Sequence, residues 1–161
     1  MSLDPDRLRA ASVRFPCTRD AAKLPLPKEG VLTVRIDRRE SAGGPPLPKG
    51  CVYEWATIET GDYDTHLLAG IAAIERKTPS DFASTLTAGR ERFEREVERM
   101  RELEWKCVIV EGNVDDVLVG SAIHPNSVIG SVASLYAEWD VPCFFAGNAA
   151  RAGRLLAGPP R

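Results

Sequence analysis

The sequence predicts a mixed α/β domain in which helices pack on the faces of one sheet. Three observations carry this reading. Apolar, β-branched runs of strand length recur at residues 31–37, 51–59, 70–77, 106–111 and 141–146. From residue 78 onward, segments whose apolar residues repeat with helical spacing alternate with these runs, giving the order β-β-β-α-β-α-β-α. The chain has 161 residues, of which 43% are hydrophobic and 27% charged, which suits one domain with a real core.

Each element has its own local signal. Residues 1–30 are rich in proline and charge without a sustained period, and they read as a mobile N-terminal extension ahead of a domain spanning 31–158. The first strand, VLTVRID, ends in a charged cluster and is followed by SAGGPPLPKG, whose glycines and prolines require a loop. CVYEWATIE is the second strand, stopped at Thr60-Gly61, and residues 70–77 are the third. With no helix between them, these three are expected to form an antiparallel meander. Thr78-Pro79-Ser80-Asp81 is a helix start, with threonine as N-cap and proline at the first helical position. Phe82, Leu86, Phe93, Val97 and Met100 continue one apolar face, and Gly89 is placed to divide the helix in two. The alternating arginines and glutamates of residues 90–102 read as a solvated face.

KCVIVE at 106–111 is continuously apolar, as in a strand buried on both faces. Residues 112–125 read as a loop. Asn126 is expected to cap a helix reaching Trp139, VPCFFA is the last strand, and Gly147-Asn148 opens a final helix to about Ala157.

The bulk numbers exclude some classes. A net charge of −2 excludes a uniformly basic nucleic-acid binder but permits a local basic groove. Cysteines at 17, 51, 107 and 143 have neither zinc-site spacing nor the density of a disulfide scaffold. No apolar run has transmembrane length, and the charged start is not a signal peptide. A reducing, cytoplasmic setting without membrane contact is expected.

The chemistry concentrates between residues 61 and 81. Alternation along a strand puts Glu75 and Lys77 on one face and Arg76 on the other. With Asp62 arriving from a neighbouring turn, this is the D…(D/E)-x-K arrangement of metal-dependent nucleases, in which carboxylates take a hard cation and the ammonium orients water or steadies negative charge. An E-x-K triplet by itself more often marks an ordinary solvated strand, so the surrounding residues decide. Asp81 is equally well explained as a helix cap, and Arg76 as the partner of a carboxylate such as Asp81 or Glu40. Arg38, His66, His124 and the Asp115-Asp116 pair read as solvated surface or loop residues, and Tyr63 as packing against the sheet.

Asp37-Arg38-Arg39-Glu40, then Gly61-Asp62, then Glu75-Arg76-Lys77 with Asp81 follow in the order D-x-R-E, G-D, E-R-K-x-x-x-D. This set resembles the nuclease domain of the XPF and Hef family. Gly89-Arg90 and the run from His124 to Asn148 extend the resemblance, which covers about residues 31 to 157. It implies a restriction-endonuclease-like core and Mg²⁺- or Mn²⁺-dependent hydrolysis of DNA at branches, flaps or forks. Asp62 and Glu75 would be the central metal ligands, with Asp37 and Glu40 completing or flanking the site. Lys77 would position or activate the attacking water, and Arg39, Arg76 or Arg90 would engage phosphate. No helicase part or tandem helix-hairpin-helix module accompanies the motifs, so the chain resembles stand-alone bacterial or phage forms, with such a protein as a partner in trans. A homodimer through the C-terminal helices is implied, with Gly130, Ser131 and Ser134 permitting close approach. The alternative is a non-catalytic DNA-binding or dimerisation subunit; the intact acidic set argues against it.

Overall fold

The structure, a computed structural model, describes residues 33–40, 44–49 and 51–157. The expected N-terminal extension, with Cys17, lies outside these residues. The described residues form a six-stranded sheet in the order β2-β1-β3-β4-β5-β6. The strands are β1 (Thr33–Asp37), β2 (Val52–Ala56), β3 (Tyr63–Thr65), β4 (Ala72–Lys77), β5 (Trp105–Val110) and β6 (Cys143–Phe145). The helices are α1 (Pro79–Thr85), α2 (Arg90–Arg101), α3 (Val114–Leu118), α4 (Pro125–Trp139) and α5 (Ala149–Ala157).

The antiparallel meander expected for the first three strands is corrected. β2 pairs parallel to β1 at the sheet edge, and β1 instead pairs antiparallel with β3, which pairs antiparallel with β4. A parallel pair needs a connection of about a dozen residues or more, and the proline-rich segment after β1 is long enough to return the chain to the start of β1 before β2 begins. From β4 to β6 all pairings are parallel, joined by helical crossovers. Residues 112–125 are not all loop: α3 interrupts them, with Asn113 and Asp116 forming a capping box. The N-cap of α4 is His124, whose Nδ1 accepts from the Asn126 N–H, and Pro125 takes the first helical position.

Other local signals hold. Thr78 caps α1 by accepting from the Asp81 N–H, and Gly89 separates α1 from α2. Alternation along the strands builds two cores. On one face Ala73, Val108 and Val110 pack under Phe82, Phe93, Val97 and Met100 of α1 and α2, and under Val128 and Leu135 of α4. On the other, Val34, Ile36, Tyr63 and Ile109 pack against Ala152 and Leu156 of α5. Cys107 and Cys143 are free thiols, pushed up to about 11 and about 12 by burial, so they behave as small apolar groups at neutral pH. Among the described residues no helix is long and apolar enough to cross a membrane.

Candidate active site

Asp62 is hung between two strands. Its N–H donates to the Ile74 carbonyl (2.9 Å), and its own carbonyl accepts from the Asp37 N–H (2.8 Å). The Arg76 N–H donates to Asp62 Oδ2 (2.8 Å), tying the side chain to β4 as well. Gly61 makes this approach possible. Its φ is 83°, in the left-handed region, and a Cβ there would stand 3.0 Å from Ala73 Cβ and 3.1 Å from the Ile74 carbonyl oxygen. Gly61→Ala is therefore expected to cost about 1–3 kcal/mol in urea unfolding and to lower any activity that depends on Asp62.

The face-sharing of Glu75 and Lys77 expected from strand alternation is observed. Lys77 Nζ pairs with Glu75 Oε1, reaches Glu96 Oε2 at 3.4 Å, and lies 5.3 Å from the centre of the Phe93 ring. Burial pushes the Asp62 carboxyl up to about 6, with the charges of Glu40 and Glu96 adding to the effect against the Arg76 N–H and Lys77. Burial and the neighbouring Asp62 push Glu75 up to about 7, against the pull of Lys77. Burial works against the Lys77 ammonium, but Glu75 and Glu96 outweigh it and hold its pKa above the ordinary value. The structure thus brings Asp62, Glu75 and Lys77 into one electrostatic group. Sequence reading missed Glu96, which lay hidden in a run of arginines and glutamates.

The remaining expected site residues are placed differently. Arg76 points to the opposite face, where its guanidinium bonds Glu40 Oε1 (2.6 Å) and both oxygens of Glu111 (2.8 and 2.9 Å). Asp37 is fully engaged: it accepts from the Arg39 N–H, the Arg39 guanidinium and the Ile58 N–H. Principally through the Arg39 side-chain bond, its carboxyl is held down at about 2. Arg39 is thereby aimed beside Asp62 and Glu75, whose charges help hold its own pKa up, after that of Asp37. Its side chain is 72% exposed. Arg90 pairs with Glu94 and lines the groove between α2 and α4. Asp81 also accepts from the Thr78 hydroxyl (2.6 Å), which completes its capping role.

A family described as the ERCC4 domain matches residues 36–158. The chain belongs to this family. The fold agrees: an XPF structure from Aeropyrum pernix superposes with a TM-score of 0.65 at 24% identity, covering 78% of this chain and 61% of that one. A second structure, of A. pernix XPF in complex with DNA, gives 0.64 at 24% identity over the same shares. A Methanocaldococcus jannaschii protein bearing the provisional name ATP-dependent RNA helicase is 28% identical over 131 residues. Those residues are 81% of this chain and 15% of that protein, so this chain spans a small part of its relative. The sheet with its flanking helices is the restriction-endonuclease-like fold of the XPF nuclease domain.

The donor set of this ERCC4 domain fits a hard divalent cation. Among the described residues no three metal-type side chains converge. Mg²⁺, however, is commonly held by one or two carboxylates, with water and phosphate oxygens completing its shell. Among the described residues, Asp62 Oδ1 and Glu75 Oε2 carry no hydrogen bond, while the other oxygen of each is anchored by the protein. A buried carboxyl and a half-buried one, both pushed toward neutrality, are a place where a cation restores the charged form.

Proposed function

We propose that this chain is a Mg²⁺- or Mn²⁺-dependent endonuclease that hydrolyses phosphodiester bonds of DNA, with branched, flap or fork DNA as its substrates. The observation that carries the reading is the grouping of Asp62, Glu75 and Lys77: the Arg76 N–H ties Asp62 to β4, and Glu75 and Lys77 share one face of that strand. The XPF structure in complex with DNA supports DNA as the partner.

Asp62 and Glu75 would hold the cation, which would supply charge neutralisation at the scissile phosphate and a lowered pKa for water. Lys77, held between Glu75 and Glu96, would position or activate the attacking water or donate to a phosphate oxygen. Arg39, exposed and aimed by Asp37, engages a phosphate oxygen with its fork. Asp37 supports the site through that arginine, and it joins the cation's ligands only by releasing part of its present hydrogen-bond set. Arg76 frames the site from behind, holding Glu40 and Glu111 together.

The test is cleavage of labelled single-stranded, duplex, flap and fork DNA in Mn²⁺, Mg²⁺ or EDTA, with wild type beside Glu75→Ala. Metal-dependent cutting that disappears in the variant is the expected result. Cutting that persists in EDTA or in Glu75→Ala overturns the assignment.

Assembly is part of the proposal. Ile129 and Tyr136, seven residues apart on α4, are 59% and 65% exposed, and Phe144 of β6 and Leu155 of α5 add apolar surface. They support a homodimer through the C-terminal elements, whereas Gly130, Ser131 and Ser134 line the groove toward α2. Sedimentation is expected to show a dimer at micromolar concentration that Ile129→Glu converts to monomer; a wild-type monomer there removes the idea. A helicase partner acting in trans is the corresponding proposal for substrate unwinding.

A further inference from the structure

Helix α2 delivers one side chain into the site. Along its arginine- and glutamate-rich run, Glu94 is 45% exposed, whereas Glu96 is 18% exposed. One turn earlier, Phe93 is buried in the core against Phe82, with ring centroids 6.4 Å apart. That packing fixes the rotation of α2, so the residue three positions on faces β4 as well. Glu96 accordingly reaches Lys77 with Oε2 at 3.4 Å, while its Oε1 meets Arg92, also at 3.4 Å.

We propose that Glu96 is a positioning residue of the catalytic centre, holding the Lys77 ammonium in place when Glu75 is engaged elsewhere. The inference rests on the role assigned to Lys77 above. Lys77 is suspended between two carboxylates on different elements, with the Phe93 ring beside it. If Glu75 were its sole anchor, any cation or substrate drawing on Glu75 would release a flexible four-carbon side chain. Glu96 would supply a second anchor, reaching Lys77 from a different element than Glu75 does. Lys77 and Glu96 also line one cavity of about 230 Å³, together with Asp81, Ser84 and Arg92. Lys77 then keeps one geometry through the reaction, the condition under which a donor contributes most to the rate.

Two measurements on the whole chain test this. Urea unfolding of wild type, Lys77→Met, Glu96→Ala and the double variant, without metal, reads the direct coupling. The expected coupling is a factor of about three or more in the folding equilibrium constant. Steady-state cleavage then reads function: Glu96→Ala is expected to lower kcat by about tenfold or more with KM within about twofold. Glu96→Gln, which keeps an acceptor oxygen at the same reach, restores most of that loss. A merely structural residue would not give the kcat-only loss with recovery by Gln. Additive unfolding energies, a Glu96→Ala enzyme that matches wild type, or a loss carried by KM overturns the inference while leaving the endonuclease reading intact. A wild-type protein that cuts no DNA defeats that reading first, and this one with it.

Discussion

Glu75→Gln is expected to abolish DNA cleavage and, without divalent cations, to make the protein more stable than wild type at pH 8. The activity loss should be at least about a hundredfold, because the substitution removes the proposed cation ligand together with the carboxylate partner of Lys77. The stability gain follows from linkage. Unfolded, the carboxyls of Asp62 and Glu75 titrate near their ordinary 3.8 and 4.5; folded, they titrate at about 6 and about 7. Between these limits these two groups bind more protons in the folded state than in the unfolded one, so their contribution to stability is highest below the unfolded values. It falls as pH rises from about 4 to about 7 and is level above that. For Glu75 the shift corresponds to roughly 3 kcal/mol at pH 8, to order of magnitude. Gln avoids that cost, so a gain of roughly 2 kcal/mol at pH 8 and none at pH 4 is expected from urea titrations in EDTA. Mg²⁺ should then stabilise wild type at pH 8 and leave the variant unmoved. A variant less stable than wild type at both pH values would show that Glu75 is held as a structural ion pair instead.

Arg76→Ala should come close to unfolding the domain. Arg76 bridges Glu40, beyond the end of β1, to Glu111, beyond the end of β5, and its side chain is 11% exposed. Burial works against the guanidinium, but the bonds and charges of Glu111 and then Glu40 outweigh it and raise its pKa. Removing it leaves two carboxylates facing each other with little solvent, a loss of about 3–5 kcal/mol. Domains of this size hold only about 5–15 kcal/mol in total. Arg76→Lys should recover little, since an ammonium cannot reproduce the fork that serves both acids. Thermal unfolding of Arg76→Ala beside Arg76→Met with Glu40→Gln and Glu111→Gln checks the cause. The triple variant is expected to regain most of the loss, and a triple variant no better than Arg76→Ala would locate the cost in packing instead.

The legible parts of this chain were those that local rules determine. Alternation along β4 put Glu75 with Lys77 and sent Arg76 away, and the structure keeps that division. Thr78, Pro79 and Gly89 marked helix limits because caps and breaks act within one turn. What escaped was set by long-range geometry. β3 is three residues long, too short to display a period, so the strand inserted between β1 and β4 was invisible and the pairing direction of β2 went with it. Glu40 was among the partners foreseen for Arg76, but Glu111 lies 35 residues from it and becomes a neighbour only through the β4–β5 register. Glu96 could not be told from Glu94 without knowing which side of α2 meets the sheet. The hydrogen bonds that occupy Asp37 include one from Ile58, on the far side of β2, and no motif carries that information.

The way Asp62 is suspended has a practical consequence. Its main chain is a rung between β1 and β4, so the site's location does not depend on the charge of its side chain. Asp62→Asn keeps an oxygen for the Arg76 N–H and leaves every main-chain bond in place. On the proposed function, such a protein is expected to bind DNA without cleaving it. If the endonuclease reading holds, this variant is the natural bait for retrieving uncut target structures from a mixed DNA pool.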